Sequence, residues 1–246
     1  MFHSAHATST PRPAASHREF LERLGELSPL EAPTDDAGGL RIDVGDLFLA
    51  VPMREIFAVA KASIDLVPDE IERLLESPIH EARVGAVSVM DFQARRSRTP
   101  EARRRELYEL YLRRHDRINN WDLVDRAAPF VVGGYLADKS RAPLYVLARS
   151  SDAWERRTAI VATDYFIRLN DLDDTYALGQ ILADDPHDLV QKAVGGWLRH
   201  AGKRDRDRLR TFLDQHAATM ARVTLRYAVE HLDKEERAHY LRLGRA

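Results

Sequence analysis

The sequence predicts an all-α protein, an α-solenoid whose paired helices form a concave groove, on three observations. Beyond Leu40 the apolar positions recur at intervals of three and four, with no convincing alternation of period two. The breaks between these stretches are short and carry Pro, Gly or Asp. The pattern also repeats along the chain, which is the mark of a stacked array rather than a closed bundle.

Taken in order, residues 1–17 hold His, Ser, Thr and Pro with no apolar core, so they read as a disordered tail and not as a secretory signal. Residues 18–246 read as a single solenoid domain. His17–Leu27 is a short amphipathic helix, and Ser28–Leu40 is a loop with two Pro and a Gly pair. The repeats follow. LLESPIHEARVGAVSVM (74–90), LARSSDAWERRTAIVAT (147–163) and ILADDPHDLVQKAVGGW (181–197) each give a helix end, a polar turn and a helix with a small residue deep inside it. Those residues are Ala86, Ala159 and Ala193; WDLVDRAAPFVV contributes Leu123 and Val124, and RVTLRYAVEHL contributes Ala228. The successive spacings are about 37, 36, 34 and 35 residues. The aromatic consensus of tetratricopeptide repeats is missing, so the units are HEAT-like.

A chain of 246 residues can bury a sizeable core. It contains no Cys, which excludes disulfides, thiolate metal sites and Cys nucleophiles, and makes a cytoplasmic location the expectation. The longest uncharged apolar run, Ala127–Ala137, is too short to span a bilayer. The net charge is −2, but it is unevenly spread. Residues 95–117 hold nine Arg against four acids, residues 199–210 hold six basic residues against two acids, and residues 170–188 hold six Asp with no Lys or Arg. Such segregation predicts one basic and one acidic face. Codon bias toward Arg is the competing explanation for the Arg excess.

The glycine pairs Gly133-Gly134 and Gly195-Gly196 lack the context of a nucleotide-binding loop. Inside a helix, Gly195-Gly196 implies that something approaches the backbone, either a neighbouring helix or a ligand. The His residues show no metal-ligand spacing and nothing calls for a cofactor. INNWDLVDRAAP (118–129) is the most informative stretch. Asn120 is placed to cap a helix from Trp121, and Trp121 and Asp125 share one flank of it. A Trp face beside a carboxylate suits a cation. On the helical wheel Asp122 points to the opposite side, toward solvent, and Pro129 is expected to kink the helix at Asp125. Trp121, Trp154 and Trp197 recur at turns or helix starts, and Arg156-Arg157 and Arg199 follow the last two. Apolar surface with Arg beside it suits nucleic acid.

INNWDLVD, LARSSDAWERRTAIV and DDPHDLVQKAVGGWLRHAGKRD together resemble the DNA alkylation repair proteins of the AlkD type, over about Phe48 to Leu241. That resemblance implies a HEAT-like DNA glycosylase that removes N3- and N7-alkylated purines from duplex DNA in base excision repair. It implies a nucleoid-associated monomer with no obligate protein partner and no membrane. By position it gives Asp125 as the catalytic carboxylate and Trp121 as the aromatic beside it, with Arg157, Arg199 and Trp197 at the DNA. Two departures stand out: Gly196 occupies the place of a lesion-facing Trp, with Trp197 one residue later, and Pro52 replaces a polar residue. The alternative is a non-catalytic HEAT-like module that binds DNA structures or protein partners.

Overall fold

The computed structural model describes residues 12–29 and 46–243 of the chain. Residues 1–11 of the expected tail and residues 30–40 of the expected loop lie outside them. The described chain is helical throughout, and its one β pairing is an isolated parallel bridge between Leu47 and Ile79. No helix among the described residues is long and apolar enough to cross a membrane. The chain forms two compact units, residues 1–99 and 100–246.

The first unit contains α1 (His17–Leu27), α2 (Met53–Ala62), α3 (Pro68–Glu76) and α4 (His80–Arg95). The Ser16 side chain caps α1 by accepting from the Glu19 N–H. Just before it, Ala14 is buried and its N–H donates to Ser63 Oγ. α4 is enclosed by the other three helices. Its Ala86 is fully buried, and Gly85 leaves room for the Phe20 ring of α1.

The second unit opens with α5 (Glu101–Arg113) and a 3-10 turn at His115–Arg117. A continuous helix follows as α6 (Trp121–Ala127), a π segment (Ala128–Gly133) and α7 (Gly134–Leu136). The remainder is α8 (Ala142–Leu147), α9 (Ala153–Val161), α10 (Asp164–Arg168), α11 (Asp173–Ile181), α12 (Asp188–Gly202), α13 (Arg206–His216), α14 (Arg222–Ala228) and α15 (Lys234–Leu243). The repeat-like stacking is that of an α-solenoid: α6 packs on α9, α9 on α12 and α12 on α14. Leu123, Val124, Ala159, Ala193 and Ala228, the positions matched in the sequence, are all buried where these helices meet. The small residues among them, Ala159, Ala193 and Ala228, let successive helices approach closely.

Pro129 has a different effect from the simple kink expected of it. Without an N–H at Pro129 the chain widens into a π turn, closed by the Gly134 N–H donating to the Pro129 carbonyl. A side chain at Gly133 would overlap the Ala162 carbonyl, so glycine is needed there for the approach of the segment before α10.

The acidic segment does not form a separate face. Asp171 and Asp174 take Arg141, Asp173 takes Arg208, Asp185 takes Arg156 and Asp188 takes Lys192. Arg156 and Asp185, both nearly buried, form a two-pronged pair at 2.6 and 3.1 Å that ties α9 to the turn before α12. Apart from the Asp188–Lys192 pair inside α12, these pairs join the acidic run to Arg residues about one period away, which the stacking makes neighbours.

Candidate functional site

A cleft of about 390 Å³ opens where α6, α9, α12 and α14 meet. Asp125 and Arg157 lie on one side of it, Gly196, Trp197, Arg199 and His200 come from α12, and Lys203 and Tyr227 complete the rim. The stacking of the second helix of each repeat creates this convergence. Positions 32 residues apart in sequence, Asp125 and Arg157, meet because α6 lies against α9.

Arg157 Nε donates to Asp125 Oδ1 at 2.9 Å and Nη2 to Oδ2 at 2.7 Å. Its Nη1 donates to the Leu189 carbonyl at the start of α12. Arg157 is buried, whereas 36 % of the Asp125 side chain is open to the cleft. A carboxylate gripped from behind by a planar fork cannot swing, so its free edge is fixed toward the cleft. Burial raises the Asp125 carboxyl above the usual carboxylate range, Arg157 counteracts this, and the Asp122 charge adds to the rise.

Beneath this pair lies a polar layer. His115 Nε2 is 2.9 Å and the Tyr111 hydroxyl 3.0 Å from Thr158 Oγ1, all of them buried. Burial lowers the His115 imidazole, keeping it neutral, and raises the Tyr111 phenol. The layer fixes α9 against α5 and so supports Arg157, the residue before Thr158.

The five expected site residues are distributed as follows. Asp125, Arg157, Trp197 and Arg199 line the one cleft; Trp121, half-buried one turn before Asp125, is not part of its lining. Asn120 does cap α6, its Oδ1 accepting from the Trp121 N–H at 3.0 Å. Trp197 lies in the interior of α12 rather than at a turn or helix start. It stacks on His200 with ring centroids 5.4 Å apart. Arg199 forms an ion pair with Glu230. Arg157 is buried and engaged through all three of its nitrogens, two of them with Asp125. Asp122 departs from the helical wheel: it is buried, and its Oδ1 accepts from the Leu123 N–H. The wheel gave its direction but not what covers that side.

The adjacent glycines Gly195 and Gly196 of α12 divide the alternatives between them. A Cβ at Gly195 would overlap the Thr224 carbonyl and Tyr227, so a neighbouring helix explains it; a Cβ at Gly196 would meet nothing within 4 Å. Sequence reasoning passed over His200, Lys203 and Tyr227. The signal for His200 was present: it is three residues after Trp197 and four after Gly196, hence on the same helical face. Tyr227 carried no such signal, because its place depends on how α14 crosses α12.

Among the described residues no group of three or more His, Asp or Glu could hold a metal ion. Compared with known proteins, the chain matches, over residues 13–232, the family described as DNA alkylation repair enzyme. No curated protein matches it.

Proposed function

Because the chain belongs to the DNA alkylation repair enzyme family, we propose that it is a DNA glycosylase that hydrolyses the N-glycosidic bond of N3- and N7-alkylated purines in duplex DNA, as the first step of base excision repair. One observation carries this reading: a half-open Asp125 carboxylate, clamped by buried Arg157, faces a cleft whose other groups are aromatic and cationic.

Alkylation at N3 or N7 makes the purine a cation and a good leaving group. Bond breaking then moves positive charge to the sugar, with no general acid required. A preorganised carboxylate at that point stabilises the developing charge without having to reorient. Asp125 has that role, with Arg157 as its positioning residue. Arg199 and Lys203 hold phosphates, Arg199 by exchanging Glu230 for DNA. Trp197 supplies an aromatic wall, and Trp121 packs on the deoxyribose beside Asp125. The substrate is duplex DNA, which locates the protein at the nucleoid, and it acts as a monomer.

The test is release of free 7-methylguanine from methylated duplex DNA. Asp125→Asn keeps the size of the side chain and removes its charge, and excision should fall about a hundred- to a thousandfold while duplex affinity is retained. Asp122→Asn is unsuitable as a control, because Asp122 is buried and its charge acts on Asp125. Asp138→Asn, at an exposed Asp paired with Lys139, should leave excision unchanged. Duplex binding with no excision by the wild-type protein would favour the non-catalytic module instead.

A further inference from the structure

His200 sits in the cleft with a buried carboxylate behind it. Its Nδ1 is 3.5 Å from Oδ1 of Asp164, the first residue of α10. The Asp164 side chain is 3 % exposed, against 39 % for His200. Asp164 Oδ2 accepts from Arg168 at 2.8 Å, but Oδ1 is buried with no hydrogen-bond partner. A buried, unpartnered carboxylate oxygen aimed at an imidazole is costly unless the imidazole uses it. On its other side the ring is held flat against Trp197, at an interplanar angle of 29°. His200 thus stands between the Trp197 ring and the Asp164 carboxylate, with Nδ1 on the side of Oδ1, an arrangement that can orient an acid or base group.

We infer that His200 is a second catalytic residue of the cleft, the base that takes a proton from the attacking water, with Asp164 as its positioning residue. This rests on the glycosylase reading. As the bond from the sugar C1′ to the purine breaks, its electron pair goes to the cationic base, which leaves neutral. Water oxygen bonds to C1′, and one water proton moves to His200 Nε2. The positive charge that began on the alkylated purine ends on the imidazolium, above the Asp164 carboxylate, and is later lost to solvent. Asp125 stabilises the sugar cation and His200 removes the proton, so the two groups have separate tasks.

The surrounding charges keep His200 ready as a base. Burial, with Lys203, Arg168 and Arg204 nearby, holds the imidazole below its ordinary value, and Asp164 partly offsets them. The other ionisable groups lining the cleft are Asp125, Arg157, Lys192, Arg199 and Tyr227. The ring is thus neutral at pH 7. A proton on Nδ1, facing Asp164, leaves the Nε2 lone pair for the cleft.

The test follows single-turnover release of 7-methylguanine by wild type, His200→Gln and Asp164→Asn from about pH 5 to 9, with thermal melts on the same preparations. His200→Gln should be roughly a hundredfold slower and lose the acid limb set by the imidazole. Asp164→Asn should shift the imidazole limb to lower pH, a change that a merely structural role would not produce. Long-range 1H–15N spectra of the wild-type protein should show His200 neutral with the proton on Nδ1, whether or not either variant folds. A ring protonated on Nε2, or an unchanged rate and pH profile in His200→Gln, overturns the assignment. A wild-type protein that releases no alkylated purine overturns the glycosylase reading and this role together, whereas excision that is indifferent to His200 overturns this role alone.

Discussion

Arg157 and Asp125 form one unit, and each would be altered by losing the other. Replacing Arg157 by Ala leaves a carboxylate in a cleft that already raises its pKa, so Asp125 should bind its proton at still higher pH. Excision by Arg157→Ala should therefore lose activity most at acid pH, while its duplex affinity changes less than its rate; a pH–rate profile beside a binding isotherm reads both. The glycines allow a second comparison. A Cβ at Gly196 meets open space, so Gly196→Ala should raise stability by about 0.5–1 kcal/mol through helix propensity. Gly195→Ala should lower it, because the obstructing Thr224 carbonyl is backbone and cannot move aside. Urea unfolding of the two variants checks the pair. Trp197 is only half-buried, so Trp197→Ala should cost well under the ~3–5 kcal/mol of a fully buried aromatic.

At the scale of elements, the contact between the 3-10 turn after α5 and α9 should be sensitive to acid. His115 is buried and its folded pKa is lowered. The unfolded chain thus binds the His115 proton more readily than the folded one. Stability from this site is intact above the ordinary His value and is lost as pH falls from there toward the folded value. Asp125 has the opposite sign: its raised pKa favours the folded state at low pH, and that contribution is lost as pH rises through the folded value. Denaturant midpoints of wild type and His115→Gln should converge as pH falls from about 7.5 to 5, because only the wild type carries the His115 penalty. Midpoints that run parallel would remove His115 from the acid response. The π turn after α6 belongs to the same scale. It makes one continuous element of Trp121–Leu136 and sets where Asp125 stands relative to α9.

For the molecule as a whole, a net charge of −2 means that DNA affinity must come from local cations. Most Arg residues of the basic run at 199–210 are already paired: Arg199 with Glu230, Arg206 with Asp233 and Glu236, Arg208 with Asp173, and Arg210 with Asp207 and Glu236. Lys203 and Arg204 have no ion-pair partner among the described residues, and Lys203 stands at the rim of the cleft. Duplex affinity should fall steeply with salt, by roughly 0.9 logarithmic units per phosphate contact for each tenfold rise. Lys203→Ala should reduce that slope by about one contact, and a variant with the wild-type slope would place Lys203 away from the phosphates.

The sequence by itself determined the helical class, the repeat of about 35 residues and the buried apolar position that recurs with it, because periodicity and side-chain size act locally and recur. It also determined that Asp125 belongs to a capped helix beside Trp121, since capping and i,i+4 spacing are properties of one helix. Only the tertiary structure decided that Arg157 clamps Asp125, that Asp122 is buried, that Gly196 faces open space while Gly195 faces α14, and that His200 stands before Asp164. The Asp125–Arg157, Gly195–Thr224 and His200–Asp164 approaches are contacts between helices that are distant in sequence. The repeat length fixes which helices become neighbours, but the packing of their side chains sets which groups meet across them.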